Sequence, residues 1–272
     1  MQLRYGYRLN PTPGQRIALS RAFGCARVVF NDAIAARRTA REAGQPFPSD
    51  AVLSTALTRA KRTPARAWLA EVSAVVLPQA LADANTAYRN VFASLTGTRK
   101  GRRLGAPRFR SKRDRPQSIR FTKAARFRVT DAGRLRLPGI GDVPVRWSRD
   151  LPSEPTSVTV TVDAAGRYHA SFVVDAPDQP LPAVGAEVGI DLGLTPSRCC
   201  PTAGRSTRRA SPARPPRSCA PPSASWSAAR RAPRGGSARA ARWRAANARV
   251  RDTRRDWLHK LSTTIVREIQ AV

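Results

Sequence analysis

A segment of extreme composition, from Pro196 to Arg251, constrains the fold of this chain more than any other feature. It contains fourteen Arg, fourteen Ala, eight Pro and eight Ser, but no Asp, Glu, Lys, Leu, Ile, Phe, Tyr or Met. Such a segment cannot bury enough apolar surface to offset the loss of chain entropy on folding. We therefore expect it to be disordered when free, with the folded core of the 272-residue chain largely outside it.

The overall charge predicts a polyanionic partner. The sequence has 49 Lys and Arg against 18 Asp and Glu, a formal net charge of +31, which favours nucleic acid over a membrane. No stretch approaches about 20 uninterrupted apolar residues, and Arg4 and Arg8 precede a polar turn instead of a signal-peptide core. We therefore expect a cytoplasmic protein without membrane contact. Three of the four cysteines fall in the unusual segment without C-x-x-C spacing, which argues against a disulfide framework and a zinc site.

Local patterns in the first hundred residues predict one strand followed by three helices. Residues 1–10 alternate as a strand, and Thr12 and Gln15 form a capping-box pattern that begins a helix running to about Arg41. A second helix is expected after Ser49. Apolar stripes at helical spacing predict core packing for the first and third helices. The stripes are Leu19, Phe23, Ala26, Phe30 and Ile34 in the first helix, and Leu77, Leu81, Ala84, Tyr88, Val91 and Leu95 in the third.

Residues 99–136, here called the basic segment, carry the strongest chemical signal of the first half. They hold fifteen Lys or Arg against two Asp, with Phe109, Phe121 and Phe127 between them. Cations at this density can neutralise backbone phosphates, and the aromatic rings can either stack on bases or pack inward. A solvated charged face is the alternative, but so large an excess of like charge would repel itself without a counter-polyanion. The predicted nucleic-acid-binding residues are Arg99, Lys100, Arg102, Arg103, Arg108, Arg110, Lys112, Arg113, Arg115, Arg120 and Lys123.

From about residue 118 to residue 175 the hydrophobic period falls to two, which predicts strands. Val158, Val160 and Val162 alternate with threonine, the sequence DAAG makes a turn, and residues 168–174 return as a second strand. This pattern predicts a β-hairpin in a small antiparallel sheet or barrel. His169 lies in it without a cluster of partners, so we interpret it as a sheet residue and not as a metal ligand.

Asp191 is the one candidate catalytic group. It lies in the sequence EVGIDLG, after a proline-containing loop that is typical of a domain junction. Its glycine neighbours, Gly189 and Gly193, leave the backbone beside the carboxylate open to a ligand. Burying an acid here is costly unless it binds a cation or accepts hydrogen bonds, so a divalent-metal ligand is the specific interpretation. A surface acid at the end of a strand is the alternative.

Four motifs occur in a fixed order: YRLNPTPGQRIALSRAFGCARVVFNDAI, GAPRFRSKRDRPQSIRFT, VGIDLGL and RVRDTRRDWLHKLSTTIVRE. Together they resemble the TnpB (OrfB) proteins of bacterial insertion sequences, which are RNA-guided DNA endonucleases related to the type V CRISPR effectors. The resemblance covers roughly residues 1–195 and 247–272.

The resemblance implies an α+β, multidomain fold. A wedge-like β-barrel domain, residues 1–10 and 99–182, would carry the basic segment, and a helical recognition domain, residues 11–98, would interrupt it. An incomplete RNase H-like (RuvC) α/β nuclease domain, residues 186–272, would follow. In the family an Asp, a Glu and a second Asp hold two Mg²⁺ ions, and by match to the motif Asp191 is the first of these acids. The implied partners are a guide RNA and a target DNA.

The sequence also departs from the family pattern. Family members have a hairpin and a basic helix of ordinary composition after the first nuclease strand, whereas residues 196–247 have the composition that GC-rich codons yield in a wrong frame. We therefore hypothesise two compensating frameshifts, one soon after Leu194 and one near Asn247, and a genuine arginine-rich RNA-binding arm is the alternative. After the second point the family pattern resumes, with Val250, Trp257, Leu261 and Ile265 lining a helix.

The family's other two acids and its four-cysteine zinc ribbon have no match in the sequence. Glu268 lies in the closing turn of a predicted helix, and we assign it no metal-binding role. Because one carboxylate seldom anchors Mg²⁺ for two-metal chemistry, we expect this chain alone not to cut DNA. The alternatives to a truncated nuclease are a nucleic-acid-binding protein without catalysis and the product of a decayed reading frame.

Overall fold

The computed structural model describes residues 1–178, 198–200, 204–206 and 237–268. The chain divides into two compact units, Met1–Pro177 and Asp178–Val272. None of the helices in the described part combines the length and the apolar content that spanning a bilayer requires.

The first unit begins with one strand and three helices, as the sequence predicts. They are β1 (Gln2–Leu9), α1 (Pro13–Glu42), α2 (Asp50–Ala60) and α3 (Val76–Leu95), with a 3₁₀ helix at Pro64–Glu71 before α3. The predicted capping box begins α1: the Thr12 hydroxyl accepts the Gln15 N–H at 3.4 Å, and the Gln15 side chain accepts the Thr12 N–H at 3.0 Å. These bonds satisfy amide groups that a helix start leaves without partners.

The two apolar stripes have different outcomes. All five stripe residues of α1 are buried. In α3 only the first half of the stripe is buried, and Leu95 remains 51% exposed. The expectation of a core-facing stripe along the whole of α3 is therefore wrong, because the last turns of the helix extend past the sheet-facing core into solvent.

Seven antiparallel strands follow one another across a single sheet in the order β2-β6-β7-β1-β5-β4-β3. Besides β1, the strands are β2 (Gln117–Thr122), β3 (Arg128–Val129), β4 (Arg134–Leu137), β5 (Gly141–Arg146), β6 (Ser157–Val162) and β7 (Tyr168–Asp175). The fold is therefore α+β, and the sheet is a curled half-barrel. This agrees with the α+β class and with the antiparallel sheet or barrel predicted from the sequence. Helices α1 and α3 contact the edge strand β2, whose Ile119 and Phe121 belong to the core that the helices share.

The N-terminal strand lies in the middle of the sheet. β1 pairs with β7 over its whole length, from Gln2 opposite Asp175 to Leu9 opposite Tyr168, and with β5 at its end. Buried residues alternate with partly buried ones in the predicted hairpin, where β6 and β7 direct valines and Phe172 inward. One contiguous cluster of buried residues joins the helices to the sheet. The helices and strands of this unit thus share a single core.

The described parts of the second unit are a short hairpin and a long helix. Strand β8 (Arg198–Cys200) pairs with β9 (Gly204–Ser206), and α4 spans Ser237–Glu268. The helix expected around Val250 and Trp257 is confirmed, but it begins ten residues before Asn247 and so inside the segment for which we predict disorder. Alanine and arginine are among the best helix formers, so this composition supports a helix even without an apolar face.

Candidate nucleic-acid interface

The basic segment begins as a loop, residues 99–116, and then enters strands β2, β3 and β4. Ten of the eleven predicted nucleic-acid-binding residues are exposed, and Arg110 is half-buried. The sequence thus places a dense set of cations on a connection that has no regular secondary structure of its own.

Helix α1 holds this loop in place through its polar side chains. The Asn31 amide pairs with the backbone of Arg110 in both directions: its Nδ2 donates to the carbonyl at 2.9 Å, and its Oδ1 accepts the N–H at 2.8 Å. About two turns further along α1, the Arg38 guanidinium donates to the Pro107 carbonyl at 3.0 Å and lies over the Phe109 ring, 4.6 Å from its centroid. Residues 107–110 are therefore fixed against the helix.

Arg110 contributes to this attachment through contacts of its own side chain. Its guanidinium lies 3.5 Å from the centroid of the Phe30 ring, and it reaches Asp83 of α3 at 3.9 Å. Burial lowers the pKa of Arg110, while the charges of Asp83 and Asp114 act in the opposite direction. A cation that is stacked and paired in this way helps to position the loop. That Arg110 also binds nucleic acid stays a prediction.

Three more of the predicted residues also have partners within the protein. Arg120 reaches Asp83 at 3.7 Å and Lys123 reaches Glu154 at 3.8 Å. The Arg115 guanidinium donates to two backbone carbonyls, those of Lys112 and Asp114. These contacts compete with phosphate binding, although exposed ion pairs of this length are weak.

The remaining seven residues are exposed, and within the described part of the chain none of them has a carboxylate within ion-pair distance. Cations in this state can bind phosphates without first breaking an internal contact. We call them the seven exposed cations: Arg99, Lys100, Arg102, Arg103, Arg108, Lys112 and Arg113.

The three aromatic residues of the basic segment separate into two groups. Phe121 and Phe127 are buried in the core, at 0% and 8% exposure, whereas Phe109 is 46% exposed. Two of the three rings therefore pack inward, and Phe109 is the one of the three that is available for stacking on a base.

Phe109 lies in a groove of about 410 Å³ between the loop and helix α1, here called the loop groove. Sequence reasoning did not identify the helix residues that form it, because they contribute to a helical stripe that otherwise indicates core packing. The groove is lined by Phe23, Ala26, Arg27 and Phe30 of α1, Ala87 of α3, and residues 107–111 and 114–118.

The predicted catalytic residue, Asp191, lies outside the described residues. Within the described residues, no group of three or more His, Cys, Asp or Glu side chains is placed to hold a metal ion. His169 is a sheet residue, as predicted, opposite Arg8 and Thr161 in the register.

Comparison with known proteins gives consistent matches. Residues 1–46 match a family model described as a helix-turn-helix domain, of the OrfB and IS605 type. In the structure these residues form β1 and α1, so they contain one helix and not two.

Three curated relatives illustrate the similarity along the chain. A protein of Streptomyces pristinaespiralis named "Putative RNA-guided DNA endonuclease" is 38% identical over 273 residues, which cover 98% of this chain and 65% of the relative. "Putative RNA-guided DNA endonuclease InsQ" of Escherichia coli (strain K12) is 26% identical over 191 residues, 70% of this chain and 45% of the relative. "Putative RNA-guided DNA endonuclease Rv2885c" of Mycobacterium tuberculosis (strain ATCC 25618 / H37Rv) is 27% identical over 212 residues, 70% of this chain and 46% of the relative. The chain thus spans between about half and two thirds of these relatives.

Proposed function

The chain belongs to the TnpB/OrfB family of insertion-sequence proteins, and from this premise we propose that it is an RNA-guided DNA endonuclease of the TnpB type whose first unit binds nucleic acid. The guide RNA supplies sequence recognition by base pairing, while the protein holds the backbone. One observation carries the proposal: seven exposed cations without acidic partners among the described residues lie on a loop that α1 fixes in place.

The positions of the cations support binding to the phosphate backbone. A protein that neutralises phosphates releases counterions, so the logarithm of affinity falls linearly with the logarithm of salt concentration. Because Arg110 and Arg120 share Asp83, they contribute structure more than ligand contacts. The seven exposed cations are the residues that determine the salt slope.

A matched pair of variants tests this assignment. Arg113 is exposed and free of acidic partners within the described residues, whereas the exposed Arg136 of β4 pairs with Asp142 at 2.5 and 2.7 Å. Arg113→Gln and Arg136→Gln remove the same charge. We expect Arg113→Gln to weaken binding to single-stranded RNA and duplex DNA alike and to reduce the salt slope by about 0.7–0.9. Arg136→Gln should leave the slope unchanged.

Two results of these binding measurements would contradict the proposal. Equal effects of the two substitutions would show that only the net charge of the chain matters, and the basic loop would lose its role as an interface. Absence of any salt-dependent binding by the unaltered protein would overturn the proposed function itself.

The acidic residues favour a second candidate, binding without cleavage. Asp191 is the one carboxylate that matches the family motif, and the sequence has no further Asp or Glu until Asp252. Asp252 and Asp256 of α4 pair with Arg251 and Lys260, at 3.4 and 2.8 Å. The described residues together with Asp191 therefore do not fit a two-metal Mg²⁺ site, which needs several carboxylates around the ions.

On this second candidate, the purified 272-residue chain binds guide RNA without cutting DNA. An Asp191→Ala variant should keep its RNA affinity, because the seven exposed cations lie in the other unit. Cleavage that depends on both Mg²⁺ and a guide would contradict this second candidate and favour the first.

A further inference from the structure

The loop groove combines aromatic surface with cations in one concavity. Phe109 lines it from the loop as an exposed ring, and Phe23 and Phe30 line it from α1 as buried residues, each 4% exposed. Its volume of about 410 Å³ lies within the range of small-molecule sites, which is roughly 300–1,000 Å³. A concave site of this size differs from the flat arrangement of cations that suffices to follow a phosphate backbone.

The Phe109 side chain is ordered by its neighbours and is still partly exposed. The Arg38 guanidinium lies over the ring at 4.6 Å and is fixed in turn by its bond to the Pro107 carbonyl, yet 46% of Phe109 remains exposed. A ring that is already ordered loses little side-chain entropy when a ligand stacks on it. A nearby cation also strengthens contact with an electron-rich ring system.

Charge around the groove favours an anionic ligand. Four arginines line it together with one carboxylate, that of Asp114; they are Arg27, Arg108, Arg110 and Arg115. The Asp114 Oδ2 accepts the Ser111 N–H at 2.7 Å, so this acid stabilises the turn of the loop. Arg108 and Arg115 are exposed. Arg108 has no carboxylate partner among the described residues, and Arg115 donates to the Lys112 and Asp114 carbonyls, bonds that a phosphate would replace.

We propose that the loop groove binds the base of an unpaired nucleotide, with the ring stacked on Phe109 and the flanking phosphates bound by Arg108 and Arg115. This inference rests on the proposed function, since it names the form in which nucleic acid enters the site. Unpaired bases present an aromatic face that stacks on aromatic side chains irrespective of sequence. A base pair inside a duplex does not present that face.

The test compares strands that carry the same charge with and without bases. Fluorescence anisotropy would measure affinity for oligo(U), oligo(dT) and their fully abasic counterparts, each about ten nucleotides long. We expect the unaltered full chain to bind the base-bearing strand about tenfold more tightly than the abasic strand. The RNA and DNA arms show whether the base comes from RNA, from DNA or from both.

Variants at equally exposed phenylalanines locate the effect. Phe109→Ala and Phe109→Leu should bring the ratio of the two affinities close to one while leaving abasic-strand binding unchanged. Leucine retains apolar volume and so protects the loop against local unfolding, which far-ultraviolet circular dichroism and thermal melting would check. Phe92, also 46% exposed, does not line the groove, and Phe92→Ala should preserve the ratio.

The outcomes separate this inference from the function on which it rests. Equal affinity of the unaltered protein for base-bearing and abasic strands in both arms, or a ratio that survives both Phe109 substitutions, would overturn the inference while nucleic-acid binding stands. A ratio that is lost in Phe92→Ala and kept in the Phe109 variants would also overturn it. Loss of binding to every strand would instead overturn the proposed function.

Discussion

Asp163, at the scale of single residues, fixes the turn of the predicted β6–β7 hairpin. Its Oδ1 accepts the N–H groups of Ala165 and Arg167, both at 2.9 Å, and its Oδ2 accepts from the Arg167 Nε at 2.8 Å. Burial raises the pKa of Asp163, but the hydrogen bonds and charge of Arg167 outweigh burial and hold the pKa below its ordinary value of 3.8. The ionised carboxylate therefore stabilises the fold.

We predict that Asp163→Asn lowers the free energy of unfolding by about 1–3 kcal/mol at neutral pH, because charge-assisted hydrogen bonds become neutral ones. The folded-state pKa lies below the unfolded value, so the contribution is complete above the unfolded pKa and is lost as pH falls through the folded pKa. Urea unfolding between about pH 7 and pH 3 would show the difference between the two proteins narrowing on acidification. Asp131→Asn, at an exposed turn aspartate, is the control, with an expected change within about 0.5 kcal/mol. A difference that stays constant with pH would show that packing, and not charge, is responsible.

At the scale of elements, the attachment of the loop to α1 decides whether the basic segment is ordered before it meets a ligand. The two bonds between Asn31 and the Arg110 backbone replace the ladder that a neighbouring strand would supply. They leave the exposed cations on a loop whose conformational entropy is already reduced. Order in the free protein lowers the entropic cost of binding.

We predict that Asn31→Ala weakens RNA binding severalfold although it removes no charge, because two hydrogen bonds, each contributing about 0.5–1.5 kcal/mol, no longer order the loop. Hydrogen exchange at the Arg110 amide should become faster in the same variant. Asn90→Ala, at an exposed position of α3, is the matched control and should change neither measurement. Unchanged exchange at Arg110 in Asn31→Ala would show that other contacts suffice to hold the loop.

Elements with local signals were predictable from the sequence. The capping box at Thr12 and the alternating valines of β6 depend on residues within a few positions of each other, and both predictions are confirmed. The partner of Arg110 could not be predicted, because Asn31 lies 79 positions away and no local pattern marks it. The contacts of α1 and α3 with β2 likewise join distant parts of the chain, so they are a property of the assembled core.

Arg110 illustrates which part of the candidate site could not be predicted from the sequence. A count of cations predicts Arg110 as a ligand-binding residue, but it gives no sign of the contacts that Arg110 makes with Phe30 and Asp83. Charge density in a sequence indicates the presence of an interface. Which cations are free is determined by carboxylates from distant elements, and these are known only after folding.

At the scale of the whole molecule, a net charge of +31 has opposite effects on folding and on binding. Repulsion among the cations destabilises the compact state, while the same cations attract a polyanion. Added salt screens both interactions, since the Debye length falls to about 8 Å at physiological ionic strength. Stability and affinity should therefore respond to salt in opposite directions.

We predict that raising the salt concentration from about 50 to 200 mM increases the melting temperature of the free protein and weakens RNA binding, by as much as about 10³-fold if all seven exposed cations bind phosphates. Because helices and strands of the first unit share one core, that unit should melt in one cooperative transition, and absence of such a transition would favour a decayed reading frame. Saturating RNA should raise the melting temperature more at low salt than at high salt. Chloride and acetate salts at equal ionic strength control for specific anion effects. A melting temperature that falls with salt would mean that ion pairs such as Arg136 with Asp142 outweigh the repulsion among the cations. The excess positive charge would then not destabilise the folded protein.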